Sequence, residues 1–167
     1  MTTTSTPEAG RQVTLPGLNG AQHTVTLGVL DRAAKLAFSY GQCHALARAL
    51  SEETGWPMAV LIDPACCQDA DVCDDVMFGD VCSCQFEHLV AVRPDGFHVD
   101  ITGAFEPGTA RGCEGKADVP VTDAMWEYLV HSPYWSPPAI EAARTFVAPL
   151  LTALRAAEPT SGPATTH

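Results

Sequence analysis

Of the seven cysteines in this 167-residue chain, five crowd into residues 66–84, and Cys43 and Cys113 stand apart from them. Cys43 lies in Tyr40-Gly41-Gln42-Cys43-His44-Ala45-Leu46, where a glycine-containing loop turns into a helix. A thiol at a helix N-terminus feels unpaired backbone N–H groups and the positive end of the macrodipole, and both favour thiolate over thiol. Its ordinary pKa of about 8.5 then falls toward neutrality, and falls further beside an imidazolium. The same N–H groups can hold an oxyanion. The competing assignment is a small apolar side chain packed under the helix.

His88 and Asp100 are the candidate partners of that thiol. In HLVAVRPDGFHVDIT two β-branched runs flank Pro-Asp-Gly, which predicts a hairpin. A three-residue loop ending in a left-handed glycine pairs Arg93 with Phe97, which sets Val90 across from Asp100 and His88 across from Thr102. His88, Val90 and Val92 then share a face with His98, Asp100 and Thr102. On that face His88 and Asp100 are diagonal neighbours with Cα atoms about 7–8 Å apart, whereas a one-residue slip would separate them. An imidazole beside a carboxylate is the base and orienter of a triad, for which Cys43 supplies the nucleophile. Otherwise His88 is a half-buried strand residue and Asp100 a strand-end cap. His98 is a second imidazole on the same face.

A second constellation fills the segment 63–85, which holds Cys66, Cys67, Cys73, Cys82 and Cys84. Cys66, Cys73, Cys82 and Cys84 form a candidate tetrahedral set for structural zinc, although only a C-x-C and an adjacent pair occur and the usual knuckle spacing is absent. Asp69, Asp71 and Asp74 have the rhythm of a calcium loop without its glycine or closing glutamate. No Lys or Arg lies between Arg48 and Arg93, whereas nine Asp and Glu do. Their field would favour a basic protein or peptide as substrate or partner.

The elements that must position these groups follow from periodicity and stop signals. A first helix is expected within 27–38 and a second over 44–53, ended by Thr54-Gly55. Residues 57–62 read as a buried strand, and 103–120 as a Gly/Pro-rich loop. Thr122 caps a helix through His131, and Ser136-Pro137 starts another running to about Ala156. Trp126, Tyr128, Tyr134 and Trp135 are expected to pack that helical layer. Segregated helices and strands of this kind indicate an α+β fold. It comprises one domain over 21–156, an insertion at 63–85, and flexible tails at 1–20 and 157–167.

Composition bounds the function. Apolar residues make up 46% and charged residues 17%, which suits a folded domain. A net charge of −11 disfavours nucleic acid. No apolar run is long enough to span a bilayer, and no signal peptide is visible in MTTTSTPEAGRQ. A cytoplasmic, reducing setting is therefore expected, where cysteines serve as thiols, metal ligands or nucleophiles.

GQCHALARAL, the strand beginning at His88 and the strand HVDITGAF together resemble the Cys, His, Asp order of the papain-like superfamily, which includes transglutaminase-like proteins, peptidases and deamidases. The resemblance covers Tyr40 to Phe105. It implies a papain-like core with N-terminal helices, a small antiparallel sheet containing the 88–102 hairpin and C-terminal helices. By it, Cys43 is the nucleophile, His88 the base and Asp100 the third member. The position of papain's oxyanion glutamine is Ala37 here, so the hole would use the Cys43 N–H and a second donor, with Gln42 as candidate. The expected activity is a cysteine-dependent hydrolase or acyl transferase that needs no catalytic cofactor. The rival expectation is a non-catalytic interaction or zinc-binding module built on the acidic, Cys-rich insertion.

Overall fold

A computed structural model describes residues 8–65, 73–74 and 76–158. The chain is α+β. An N-terminal hairpin of β1 (Gln12–Pro16) and β2 (Gln22–Thr26) leads into α1 (Arg32–Ser39) and α2 (Cys43–Thr54). β3 (Met58–Ile62) follows, then a two-strand hairpin of β4 (Met77–Phe78) and β5 (Val81–Cys82). Next come β6 (Phe86–Val92), β7 (His98–Asp100), β8 (Gly103–Phe105) and β9 (Ala117–Pro120). α3 (Asp123–His131) and α4 (Ile140–Ala157) complete the described chain. The main sheet has five strands in the order β8-β7-β6-β3-β9, with every neighbouring pair antiparallel. No described helix is long and apolar enough to cross a membrane.

α2 is the central element. Cys43 through Ala47, Ala49 and Leu50 are all buried, so this helix is covered nearly all round at its N-terminal half. One side packs Leu46 and Leu50 with α1, α4, the N-terminal hairpin, the sheet residues Ala91 and Val99, and Ile101 of the turn after β7. The other packs Cys43 and Ala47 with Val60, Phe86 and Leu89 of the sheet and Met125 and Leu129 of α3. The far face of the sheet is closed by Ala110 from the loop before β9, against Ala59, Leu61 and Val90. The sheet is concave on that side, since His98 Nε2 of β7 comes within 3.5 Å of Asp118 Oδ2 of β9, with β6 and β3 between them.

Three expectations need correcting. The tail over 1–20 is shorter than expected, because Gln12–Pro16 pairs with Gln22–Thr26 and buries Leu15 and Val25. The two strands are short and bracket a Gly-Leu-Asn-Gly turn, which masked their alternation. The loop over 103–120 contains β8 and β9; β9 tolerates Pro120 because it is an edge strand. The last helix starts at Ile140 and not at Pro137. Residues 136–139 are held out of the helix by other partners. Ser136 Oγ donates to the Gly17 carbonyl at 2.6 Å, and Ala139 N–H donates to Gln42 Oε1 at 2.8 Å.

The 93–97 turn closes as the spacing predicts. Arg93 N–H donates to the Phe97 carbonyl at 2.8 Å, Gly96 takes a φ of 87°, and Ala91 pairs with Val99. Thr122 Oγ1 accepts from Met125 N–H, capping α3 at the expected residue.

Candidate active site

Cys43 is the first residue of α2, and the loop before it is built by two neighbours. Gly41 has a φ of 130°, and a Cβ there would lie 2.6 Å from the Cα of Gly17, so only glycine lets the two backbones touch. Gln42 is fully buried, and both ends of its amide are occupied. Nε2 donates to the Pro16 carbonyl at 2.8 Å and the Pro137 carbonyl at 3.1 Å, while Oε1 accepts from Ala139 N–H. An amide NH2 has two protons, and both are committed. The expected role of Gln42 as an oxyanion donor is therefore corrected: its side chain clamps β1 and the segment before α4 to the start of α2. No side chain caps α2, and its first internal bond runs from Leu46 N–H to the Gln42 carbonyl. The N–H groups of Cys43, His44 and Ala45 thus stand at the helix mouth without an intrahelical acceptor.

His88 reaches this helix end through an irregularity in the sheet. Leu61 pairs with His88 but Ile62 pairs with Phe86, so Glu87 is an extra residue in β6. Such a bulge re-aims the side chains beside it. Phe86 and Leu89, three apart, pack with Cys43 on the α2 side, and His88 sits between them, 8% exposed. Its Nε2 is 2.9 Å from Asp100 Oδ2. Asp100 is itself fixed, as Oδ1 accepts from the N–H of Thr102 at 2.7 Å and from its hydroxyl at 2.6 Å. Thr102 does not pair across from His88: β7 stops at Asp100 and turns into β8, and Thr102 becomes the support of the carboxylate.

The charges of the three groups are interdependent. Burial pushes the Cys43 thiol up, but the neighbouring imidazoles of His44 and His88 outweigh it and bring the group down to about 5. Burial disfavours the His88 imidazolium, yet Asp100 and Cys43 hold the proton on it and raise it to about 10. Burial likewise opposes ionisation of Asp100, and His88 and Thr102 reverse this, so its carboxyl stays below its ordinary value. Between the Cys43 and His88 values the site is a thiolate–imidazolium pair anchored by a carboxylate. Cys113 contrasts with this, because burial pushes its thiol up.

His44 is a neighbour that the sequence reading did not assign. It is fully buried; its Nε2 lies 2.9 Å from the Ser136 carbonyl and its ring packs edge-on against Trp135. Its Nδ1 has no partner within hydrogen-bond geometry, so its influence on the thiol is one of proximity. His98 faces Phe105 and Asp118 and does not join the thiol.

A cleft of about 320 Å³ opens over Cys43, lined by Ser39, Gly41, Ser83, Cys84, Phe86, Glu87, Tyr128, Tyr134 and Trp135 with Leu18. Three of the four aromatics expected to pack the helical layer thus line the cleft, since α3 and the segment after it lie beside the start of α2. A larger groove of about 600 Å³ between α4 and β7–β8 contains no cysteine or histidine.

The carboxylates of 52–87 are less isolated than their sequence suggests. Glu52 is paired with Arg48 and Arg144, and Asp63 with Lys116, so two of those three cations come from elements far away in sequence. In the insertion, the Sγ atoms of Cys73, Cys82 and Cys84 lie within 4.8 Å of one another, a grouping that can hold a metal such as zinc. Cys66, the fourth ligand expected, lies outside the described residues, as do Cys67, Asp69 and Asp71. Comparison with protein-family models, curated proteins and solved structures finds no match.

Proposed function

We propose that the protein is a cysteine-dependent hydrolase or acyl transferase that acts on an amide or related carbonyl, with Cys43, His88 and Asp100 as its triad in a papain-like core. The supporting observation is one arrangement: a thiol at an uncapped helix start interacts with an imidazole whose Nε2 is 2.9 Å from a buried carboxylate.

In this reading the Cys43 thiolate attacks the carbonyl carbon, and the carbonyl π electrons move to oxygen. The Cys43 N–H and its neighbour in the first turn of α2 donate to that oxyanion. Nε2 of His88 is held by Asp100, so Nδ1 transfers the proton to the leaving amine as the C–N bond breaks. The product is a thioester and a free amine. Neutral His88 then takes a proton from water or from an acceptor amine, whose attack releases the acyl group and restores the Cys43 thiolate. Water as acceptor gives a peptidase or deamidase, and an amine gives a transglutaminase. Asp100 stabilises the imidazolium and fixes the ring throughout. The cleft lining carries Glu87 and no Lys or Arg, which favours neutral or cationic peptides.

The test is covalent labelling of the reduced full chain with an electrophilic peptide at mildly acidic pH, read by intact mass and peptide mapping. A single adduct on Cys43, absent in Cys43→Ala and slowed in His88→Ala, supports the reading. Labelling of Cys43 no faster than Cys113 under those conditions would overturn it.

A further inference from the structure

We propose that Cys73, Cys82 and Cys84 form a zinc-binding site in the wall of the Cys43 cleft. The three sulfurs converge from two separate stretches of chain, and all lie within 4.8 Å of one another. Two thiolates bound at about 2.3 Å to a tetrahedral zinc are about 3.8 Å apart. Cys73 Sγ and Cys82 Sγ stand at 3.7 Å, close to that spacing and far from the roughly 2.05 Å of a disulfide. The ligand chemistry is all sulfur, which selects zinc over calcium or magnesium.

The scaffold around the sulfurs is already set. Cys82 and Cys84 flank Ser83 on a tight 3-10 turn over Ser83–Gln85, which brings two ligands onto one side with a single residue between them. Gln85 fixes that turn: its Oε1 accepts from Cys82 N–H at 2.7 Å and its Nε2 donates to the Pro64 carbonyl at 3.1 Å. Ser83 Oγ donates to Asp74 Oδ1 at 2.6 Å, which ties the stretch bearing Cys73 to the turn bearing the other two. A site held this way loses little chain entropy when the ion enters. On binding, each thiol gives up its proton to solvent, and the three thiolates exceed the charge of the ion by one. Water or one further donor completes the tetrahedron.

The position gives the site a consequence for the cleft. Cys84 and Ser83 line the cleft itself, and the turn runs directly into β6, which carries His88. The ion would fix the wall that faces the thiolate, without contact with the reacting atoms. The assignment does not depend on the catalytic reading, and it would stand for a chain with no enzyme activity.

The test uses the wild-type chain, purified with a non-thiol reductant and no chelator. Elemental analysis after gel filtration is expected to give one zinc per chain, and cobalt replacement to give the thiolate-to-metal charge-transfer band of a tetrahedral sulfur site. Zinc should slow alkylation of Cys73, Cys82 and Cys84 by about tenfold or more while changing Cys113 by less than about twofold. Cys82→Ser should lose the metal, and Cys113→Ser should keep it. No retained zinc together with no protection on adding zinc would overturn the proposal, whether or not the variants fold.

Discussion

The chemistry of the site turns on where one proton sits. With Cys43 brought down to about 5 and His88 raised to about 10, the thiolate exists across the whole neutral range. The alkylation rate of Cys43 is expected to rise with a midpoint near 5 and to stay level until His88 loses its proton near 10. In His88→Ala the midpoint should move up by several pH units, because burial then acts with less opposition. The same pair sets a stability profile. Unfolded, the groups titrate near 9.0 and 6.5; folded, the pair holds one proton between about 5 and about 10. From about pH 5 to 6.5 the unfolded chain binds the extra proton, so stability rises with pH; from 9.0 to about 10 the folded chain does, and stability falls. Between those limits this pair contributes no slope, which denaturation across pH checks against His88→Ala. Replacing Asp100 by Ala should lower turnover by up to about 10⁴-fold while unfolding stays cooperative. Unchanged turnover would reduce Asp100 to a partner of Thr102.

At the scale of elements, the proposed triad is assembled by a helix start, a bulged strand and a short strand that ends at its carboxylate. Much of this was legible. The Pro-Asp-Gly turn fixes the register that places His88 and Asp100 on one side, and Thr122 and Gly55 mark helix ends by their own chemistry. The bulge at Glu87 was not legible, because an extra residue in a strand leaves no signature when both neighbours are plausible strand residues. Nor was the role of Gln42: a side chain that bonds three backbone groups at Pro16, Pro137 and Ala139 depends on contacts across nearly the whole chain. The strands β1 and β9 were missed because their burial comes from partners, with too few apolar positions to show a period. Gln42→Ala would leave two carbonyls and an N–H without partners and is expected to cost about 2–4 kcal/mol, read by chemical denaturation. Gly41→Ala should destabilise by more than about 1 kcal/mol, since its φ is positive and the Gly17 backbone cannot give way like a side chain. Both variants should also slow Cys43 labelling. Retained stability in either would show that the loop can be built another way.

At the scale of the molecule, a net charge of −11 is spread over a surface on which four of the nine cations, Arg48, Arg144, Lys116 and Arg93, are spent in pairs with Glu52, Asp63 and Asp95. Turnover or labelling of Cys43 is expected to be faster with a basic peptide than with a matched acidic one at low salt. The difference should shrink as ionic strength rises past physiological. A preference for the acidic peptide would point to a local field opposite to the global one. The Gln42 clamp also has a consequence in time. Its last partner, Ala139, is made 96 residues after Cys43. At bacterial or eukaryotic elongation rates of 5–20 residues per second, that is roughly 5–20 s. During synthesis the nascent chain therefore carries Cys43 before the loop that presents it can be locked, and the setting of that sulfur is finished only once Ala139 has been made.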